Sequence, residues 1–235
     1  MREKRLRRQR VALFQAGLVL AASAFALLTF LVKTRPSFAL DLEISRAIQS
    51  LDSPLFAWLM SLISWPGFSP QAMIITGLVV SLIYGFGLRW EALVTLSAAL
   101  SSAALNVLAK NLIQRPRPLP DMVNVLATLN SYSFPSGHVM FYVSFFGFIG
   151  LLAYSLLKPS FQRSLLLIFP GGLVVLIGIS RIYLGQHWAS DVLGAYLLGF
   201  LTLAANIQFY RWGKTRFFVQ QPLAAGKTAS KEEIA

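Results

Sequence analysis

Six runs of apolar residues, each close to the length of a membrane-spanning helix, constrain this chain more than any other feature. A bilayer core about 30 Å thick requires about 20 helical residues that are mostly apolar. The runs are Val11–Val32, Pro70–Leu88, Ala92–Ile113, Val139–Leu157, Ser164–Ser180 and Ala189–Tyr210. Only 13% of the residues are charged, against about 25% in soluble domains. The sequence therefore predicts an all-α, polytopic membrane protein with six transmembrane helices in one bundle.

Three segments need separate interpretation. The fifth run is short for a span unless its helix continues through Arg181 and Tyr183. The stretch Pro54–Ser64 is apolar but too short to span, and we interpret it as a re-entrant or interfacial helix that leads into the second span. The first run could be a signal peptide, but it exceeds the usual apolar core of about 7–15 residues, so we favour an uncleaved anchor.

The distribution of lysine and arginine predicts the orientation in the membrane. If the amino terminus is inside, 14 of the 21 basic residues lie on the inner side: six in residues 2–10, three at inner loops and five in residues 211–231. Basic residues accumulate on the cytoplasmic side. We therefore expect a basic cytoplasmic amino terminus (1–10), a membrane domain (11–212) and a mobile cytoplasmic tail (213–235). The net charge of +12 indicates attraction to anionic headgroups, not to nucleic acid.

Polar residues are costly in membrane helices, and here they form three clusters. The clusters are Lys110–Pro118, Pro135–His138 and Ser180–Asp191. The first two share one loop, and the chain then crosses the membrane twice before the third. All three therefore lie at one face, which the predicted orientation makes the extracytoplasmic face. The chain has no cysteine, which excludes thiolate metal sites and cysteine nucleophiles.

These clusters predict an anion site. Lys110, Arg117 and Arg181 are three cations that suit the oxygens of a phosphate group. Ser136 and Gly137 stand at a helix start, where free backbone N–H groups attract anions. Lys110 and Arg117, taken singly, could instead be flanking residues that reach the headgroups, and for Arg115 we expect only that role.

Both histidines of the chain, His138 and His187, belong to the clusters. If the sixth helix begins at or before His187, Asp191 lies on the same helical face and can orient the imidazole. His187 could then attack phosphorus, and His138 could protonate the leaving oxygen. A capped helix start for His138 and a structural His–Asp hydrogen bond are the simpler alternatives. Two histidines and an aspartate could also bind a metal, but the adjacent cations would repel it.

The ordered patterns Lys-x6-Arg-Pro, Pro-Ser-Gly-His and Ser-Arg-x5-His-x3-Asp, over residues 110–191, resemble the signature of the type 2 phosphatidic acid phosphatase superfamily. The resemblance implies a phosphatase of the plasma (inner) membrane that needs no metal or cofactor. It also implies roles for individual residues. The phosphate-binding residues would be Lys110, Arg117, Ser136, Gly137 and Arg181; the general acid would be His138, the nucleophile His187 and the orienting carboxylate Asp191.

The family resemblance also suggests the substrates and the rival functions. Undecaprenyl pyrophosphate is the first candidate for so compact a chain, followed by phosphatidylglycerol phosphate and phosphatidic acid. A vanadate-dependent haloperoxidase would use a similar anion pocket, although six lipid-length spans argue against it. A non-catalytic lipid or anion transporter would bind phosphate without releasing it from a lipid.

Overall fold

The computed structural model describes residues 2–35, 37–127 and 129–218, and within them all of the regular structure is helical. The α-helices are α1 (Arg2–Thr34), α2 (Ala39–Gln49), α3 (Pro54–Ser64), α4 (Ser69–Gly85), α5 (Arg89–Ile113), α6 (Gly137–Phe141), α7 (Gly147–Leu156), α8 (Phe161–Tyr183) and α9 (Ala189–Gly213). A 3₁₀ turn (Trp65–Gly67) joins α3 to α4. Two π-helical turns, Tyr142–Phe146 and Lys214–Phe218, follow α6 and α9.

The structure agrees with the predicted all-α membrane bundle and has five to six candidate spans among the described residues. Five helical segments are long and apolar enough to cross a bilayer: α1, α5, α6 together with α7, α8 and α9. Helices α3 and α4, which meet at an angle of 61°, make a sixth candidate if the bent pair is taken as one span. Helix α8 continues through Arg181 to Tyr183, and this extension gives the fifth predicted run the length that it lacked.

The bend between α3 and α4 lies where the sequence provides two helix-starting prolines. Pro66 opens the 3₁₀ turn and Pro70 stands in the first turn of α4, where a missing N–H costs nothing. The apolar stretch Pro54–Ser64 forms a helix with the bounds expected from the sequence. Its carboxyl end contacts the end of α8 through Met60 and Ser64, so the bend brings the 3₁₀ turn to the end of the bundle where α8 stops.

The span made of α6 and α7 changes its helical pitch in the middle. Between them lies a π-helical turn in which four consecutive residues, Tyr142 to Phe145, are buried. A regular α-helix on the edge of a bundle turns one face to lipid every 3.6 residues. The wider turn lets successive side chains contact α8 on one side and α9 on the other.

A short amphipathic helix, α2, was not among the sequence expectations. It lies outside the bundle core and presents Asp41 and Ser45, four residues apart, as a buried polar edge. Ile44 and Ile48 pack against the core cluster near the end of α8 and the start of α9. Counting apolar runs does not detect such a helix because its mean hydropathy is low.

At the end of the bundle where α5 begins and α9 ends, the two helices are joined by polar contacts. The Glu91 carboxylate accepts hydrogen bonds from Lys214 Nζ at 2.5 Å and from Tyr210 Oη at 3.1 Å. Helical structure continues to Phe218. The sequence analysis placed the start of the tail earlier, at residue 213. The rest of that tail, residues 219–235, lies outside the described residues.

Candidate active site

Most of the residues predicted to form the site line one cavity of about 440 Å³, at the end of the bundle where α5 ends and α6 begins. The cavity lies between α4, α5, α6 and α8. Six of the predicted residues form its polar wall: Lys110, Arg117, Gly137, His138, Arg181 and His187. Ser136 and Asp191 are fully buried behind this wall. The three sequence clusters thus meet at one depth, as the counting of spans predicts.

His187 stands between a carboxylate and a cation. Its Nδ1 lies 3.5 Å from Asp191 Oδ2, close enough for electrostatic attraction but longer than a usual hydrogen bond. Its Nε2 lies 3.3 Å from Arg117 Nη1 and belongs to the cavity side. Helix α9 begins at Ala189, after His187. His187 and Asp191 therefore do not share a helical face, because the helix does not begin at or before His187 as that arrangement required. The turn at Trp188 brings the two residues together instead.

Asp191 holds the start of α9 in place. Its Oδ2 accepts the backbone N–H of Trp188 at 2.9 Å, which caps the helix. The same oxygen accepts the hydroxyl of Ser133, and Oδ1 pairs with Arg115 Nη1 at 2.6 Å. With these bonds made, the carboxylate has little freedom to rotate, and its position relative to His187 is fixed.

The expectation for Arg115 was wrong. Its side chain is fully buried and forms ion pairs with Asp191 and with Asp41 Oδ2, the latter at 2.7 Å. A flanking residue that reaches headgroups would be exposed. The partner Asp41 belongs to α2, a helix that the sequence analysis did not predict. It adds a second carboxylate near the site, where only Asp191 was expected.

Backbone carbonyls position the other two loop-side cations. Arg117 Nε donates to Ser131 O at 2.6 Å, and its Nη1 donates to Gln186 O at 2.5 Å. Lys110 Nζ donates to the carbonyl of Tyr132. Burial lowers the pKa of Arg117 from its usual value. A guanidinium has such a high pKa that it remains charged, so the loop directs two cations at the cavity.

Arg181 is fully buried at the end of α8. Its Nη1 donates to Ser64 Oγ at 2.5 Å, and the guanidinium lies over the ring of Phe68 at 5.8 Å. Its Nε and Nη2 have no hydrogen-bond partner among the described residues. Sequence reasoning missed Ser64 and Phe68, because a serine and a phenylalanine in an apolar stretch carry no signal of a polar site.

His138 is held by the bend between α3 and α4. Its ring meets Phe68 edge-on at 4.8 Å, and a Cβ placed on Gly67 would lie 2.3 Å from His138 Cδ2. Only glycine at position 67 therefore leaves room for this imidazole. The Nε2 atom of His138 is buried and has no hydrogen-bond partner among the described residues.

The start of α6 differs from the expectation in one respect. The backbone N–H of Ser136 donates to Asp191 O at 3.3 Å, so it is not free to bind an anion. The hydroxyl of Ser136 is buried without a partner in the described part of the chain. Asn106 lies within 2.9 Å of a Cβ built on Gly137 and donates to Pro135 O, which keeps the helix start close to α5.

The charges on the cavity wall are unbalanced. Lys110, Arg117 and Arg181 form no ion pair with a carboxylate in the described ranges. Buried polar atoms normally have partners, and several here have none. An oxyanion in the cavity would supply acceptors for the free nitrogens of Arg181, which lines it.

This charge pattern predicts a neutral His187 imidazole. Burial lowers the pKa of His187 well below 6.5, and the neighbouring cations Arg117, Arg181 and Lys110 lower it further. The chain has two histidines, so ¹⁵N-histidine labelling gives ring-nitrogen signals from two imidazoles, which the variant His138→Gln assigns. We expect His187 to stay neutral as the pH falls through 6.5, and Arg117→Met to move its midpoint upward. A midpoint at or above 6.5 in the wild type contradicts this prediction.

Comparisons with known proteins agree with this geometry. The family model of the PAP2 superfamily matches residues 90–215, which include every predicted site residue. Phosphatidylglycerophosphatase B of Bacillus subtilis (strain 168) is 31% identical over 195 residues, 81% of this chain and 89% of the relative.

Two solved structures have similar folds. The crystal structure of a transmembrane PAP2 type phosphatidylglycerolphosphate phosphatase from Bacillus subtilis has a TM-score of 0.73 at 28% identity, and the match covers 83% of this chain and 96% of that one. Aquifex aeolicus LpxE has a TM-score of 0.59 at 22% identity, and it covers 74% of this chain and 98% of its own. The fold, the ordered motifs and the matched family model lead to one conclusion: this chain belongs to the PAP2 superfamily and is a multi-pass membrane phosphatase.

Proposed function

We propose that this chain hydrolyses the terminal phosphate of a membrane lipid, with phosphatidylglycerol phosphate as the first candidate. The observation that carries the proposal is the polar wall of the cavity, where donors without partners face the two histidines. The name of the 31% identical Bacillus relative supports the choice of lipid. Undecaprenyl pyrophosphate, the first candidate from the sequence, and phosphatidic acid stay in the test.

The wall opposite the cations suits a lipid tail. It consists of small or apolar side chains from α4, α5 and α6, namely Ala72, Met73, Ala99, Ala103, Val107 and Phe141. Met73 is 74% exposed in the absence of lipid, so this side of the cavity faces the bilayer. A substrate could place its phosphate among the cations while its acyl chains remain in the hydrocarbon.

The site residues then act in two steps. His187 Nε2 attacks phosphorus, and the bond from phosphorus to the lipid oxygen breaks as His138 gives that oxygen a proton. Water next attacks the phosphohistidine, giving its proton to His138 and releasing inorganic phosphate. Asp191 stabilises the imidazole, while Lys110, Arg117, Arg181 and Ser136 bind the phosphoryl oxygens. Gly137 keeps the backbone close to the phosphate.

The proposed orientation places this chemistry at the extracytoplasmic face of the plasma (inner) membrane, with both termini in the cytoplasm. The excess of basic residues on the opposite side supports it. The loop between α5 and α6 carries Arg117, so the side of the membrane on which this loop is accessible is also the side of the site.

The first test is phosphate release in detergent that contains EDTA, across the candidate lipids. We expect release without metal, with phosphatidylglycerol phosphate turned over fastest. His187→Ala should reduce release below detection, and Arg181→Ala should lower kcat about 10²–10³-fold, as for other preorganised charge-stabilising donors. Arg89→Ala, an exposed arginine at the far end of α5, is the matched control and should retain activity.

Several outcomes would contradict the proposal. Loss of activity in EDTA that a divalent metal restores would exclude a metal-free mechanism. Halide oxidation that depends on vanadate would favour the haloperoxidase alternative. Lipid or anion transport that persists in His187→Ala, without phosphate release by the wild type, would favour the transporter.

A second test concerns the contact of Gly67 with His138. Gly67→Ala places a methyl group where the imidazole stands, so we expect phosphate release to fall about 10-fold or more as His138 is displaced. Gly77→Ala in α4 is the control, because a Cβ there meets no atom within 4 Å. Equal activity of the two variants would show that the position of His138 does not depend on the bend.

A third test addresses orientation, and the absence of cysteine makes it direct. A membrane-impermeant maleimide should label Asp121→Cys, in the loop between α5 and α6, in intact cells. It should label Lys158→Cys, between α7 and α8, only after permeabilisation. Both positions are exposed. The reverse labelling pattern would place the site in the cytoplasm.

A further inference from the structure

Behind the cavity lies a buried charge network that joins Asp191 to Arg115 and Asp41, two residues with no predicted role in the site. Arg115 Nη1 pairs with Asp191 Oδ1 at 2.6 Å, and its Nη2 pairs with Asp41 Oδ2 at 2.7 Å. Arg115, Asp41 and Asp191 are each at most 3% exposed. A charge buried to this degree is costly unless its partners satisfy it, so these three groups depend on one another.

Ser190 completes the network and links it to α9. Its backbone N–H donates to Asp41 Oδ1 at 2.8 Å, and its hydroxyl donates to Asp41 Oδ2 at 2.6 Å. The same hydroxyl accepts a hydrogen bond from Arg115 Nη1 at 2.7 Å. Helix α2 is therefore attached to the first turn of α9, immediately after His187 and Trp188.

Arg115 also connects the network to the loop that carries the phosphate-binding arginine. Its carbonyl accepts the backbone N–H of Ser133 at 2.8 Å, and the Ser133 hydroxyl donates to Asp191. The guanidinium lies over the ring of Phe38 at 5.5 Å, which closes the network toward α2. Neither Arg115 nor Asp41 lines the cavity that holds the two histidines, although Arg115 lines an adjacent cavity with Lys110 and Arg117.

We infer that Arg115 and Asp41 are positioning residues that act through Asp191: they fix its carboxylate so that His187 keeps its proton on Nδ1 and presents Nε2 to phosphorus. The inference rests on the proposed function for its kinetic consequence. Its structural consequence, the tautomer of His187, can be measured without substrate. Helix α2 thereby becomes part of the catalytic apparatus, although it contributes no residue to the cavity.

The experiment compares Arg115→Met, Asp41→Asn and the double variant. The control is Glu43→Gln, an exposed acid on the same helix α2. We expect Arg115→Met to lower kcat for lipid phosphate about 100-fold with KM changed less than about threefold, because bound phosphate contacts none of the altered atoms. Asp41→Asn should have a smaller effect of the same kind, and Glu43→Gln should match the wild type.

The double variant separates positioning from general stability. Arg115→Met leaves two buried carboxylates facing each other, so it should lower the unfolding temperature in detergent. Adding Asp41→Asn removes one of those charges and should recover part of the unfolding temperature, but not kcat. If the double variant recovers kcat together with the unfolding temperature, or if a folded Arg115→Met retains wild-type kcat, the inference is wrong.

The histidine ring provides a readout that a purely structural role would not move. In ¹⁵N-histidine spectra of the substrate-free protein, we expect wild-type His187 to be protonated at Nδ1 and a mixture of tautomers in the double variant. An unchanged tautomer contradicts the inference even if kcat falls. If the wild type releases no phosphate but the tautomer shifts, the proposed function fails while the positioning role stands. If Arg115→Met does not fold, the double variant and Asp41→Asn decide the question.

Discussion

The carboxylate of Asp191 is the point on which the rest of the site depends. It caps α9 through the Trp188 N–H, pairs with Arg115 and accepts the hydroxyl of Ser133. Three separate parts of the chain are thus fixed to one side chain at the depth where the spans end. Because Asp191 is fully buried, the loss of one partner would leave part of a buried charge unsatisfied, so each of these bonds reinforces the others.

The positive charges of this region divide into two classes with different surroundings. Arg115 is enclosed by Asp41 and Asp191, and this balanced network forms a rigid back wall. Arg117 and Arg181 are held by neutral oxygens of Gln186 and Ser64, which leave their charge uncompensated toward the cavity. Neutral acceptors can fix a guanidinium without neutralising it, so the protein orients these cations and their charge remains available to an anion.

Sequence alone predicted the spans and the meeting of the three clusters, because hydropathy and the alternation of sides follow from chain order. It did not predict the role of Arg115, whose partner Asp41 lies 74 residues away on a helix of low hydropathy. Nor could it identify Ser64 or Phe68, which reach the site only because α3 and α4 are bent. Those contacts depend on tertiary geometry. Single residues in an apolar stretch look the same whether they face lipid or a guanidinium.

The π-helical turn between α6 and α7 accommodates one residue more than an α-helical turn would. Each residue of an α-helix rotates the chain by about 100°, so removing one residue from α6 or from α7 would turn one half of the span by that angle against the other. His138 would then swing away from Phe68, or Phe148 would leave its core contacts. Removing one residue from Tyr142–Phe146 instead lets the wide turn close to an α-helical one, and both halves keep their faces. The length of the span can therefore change by one residue at this turn without moving the histidine.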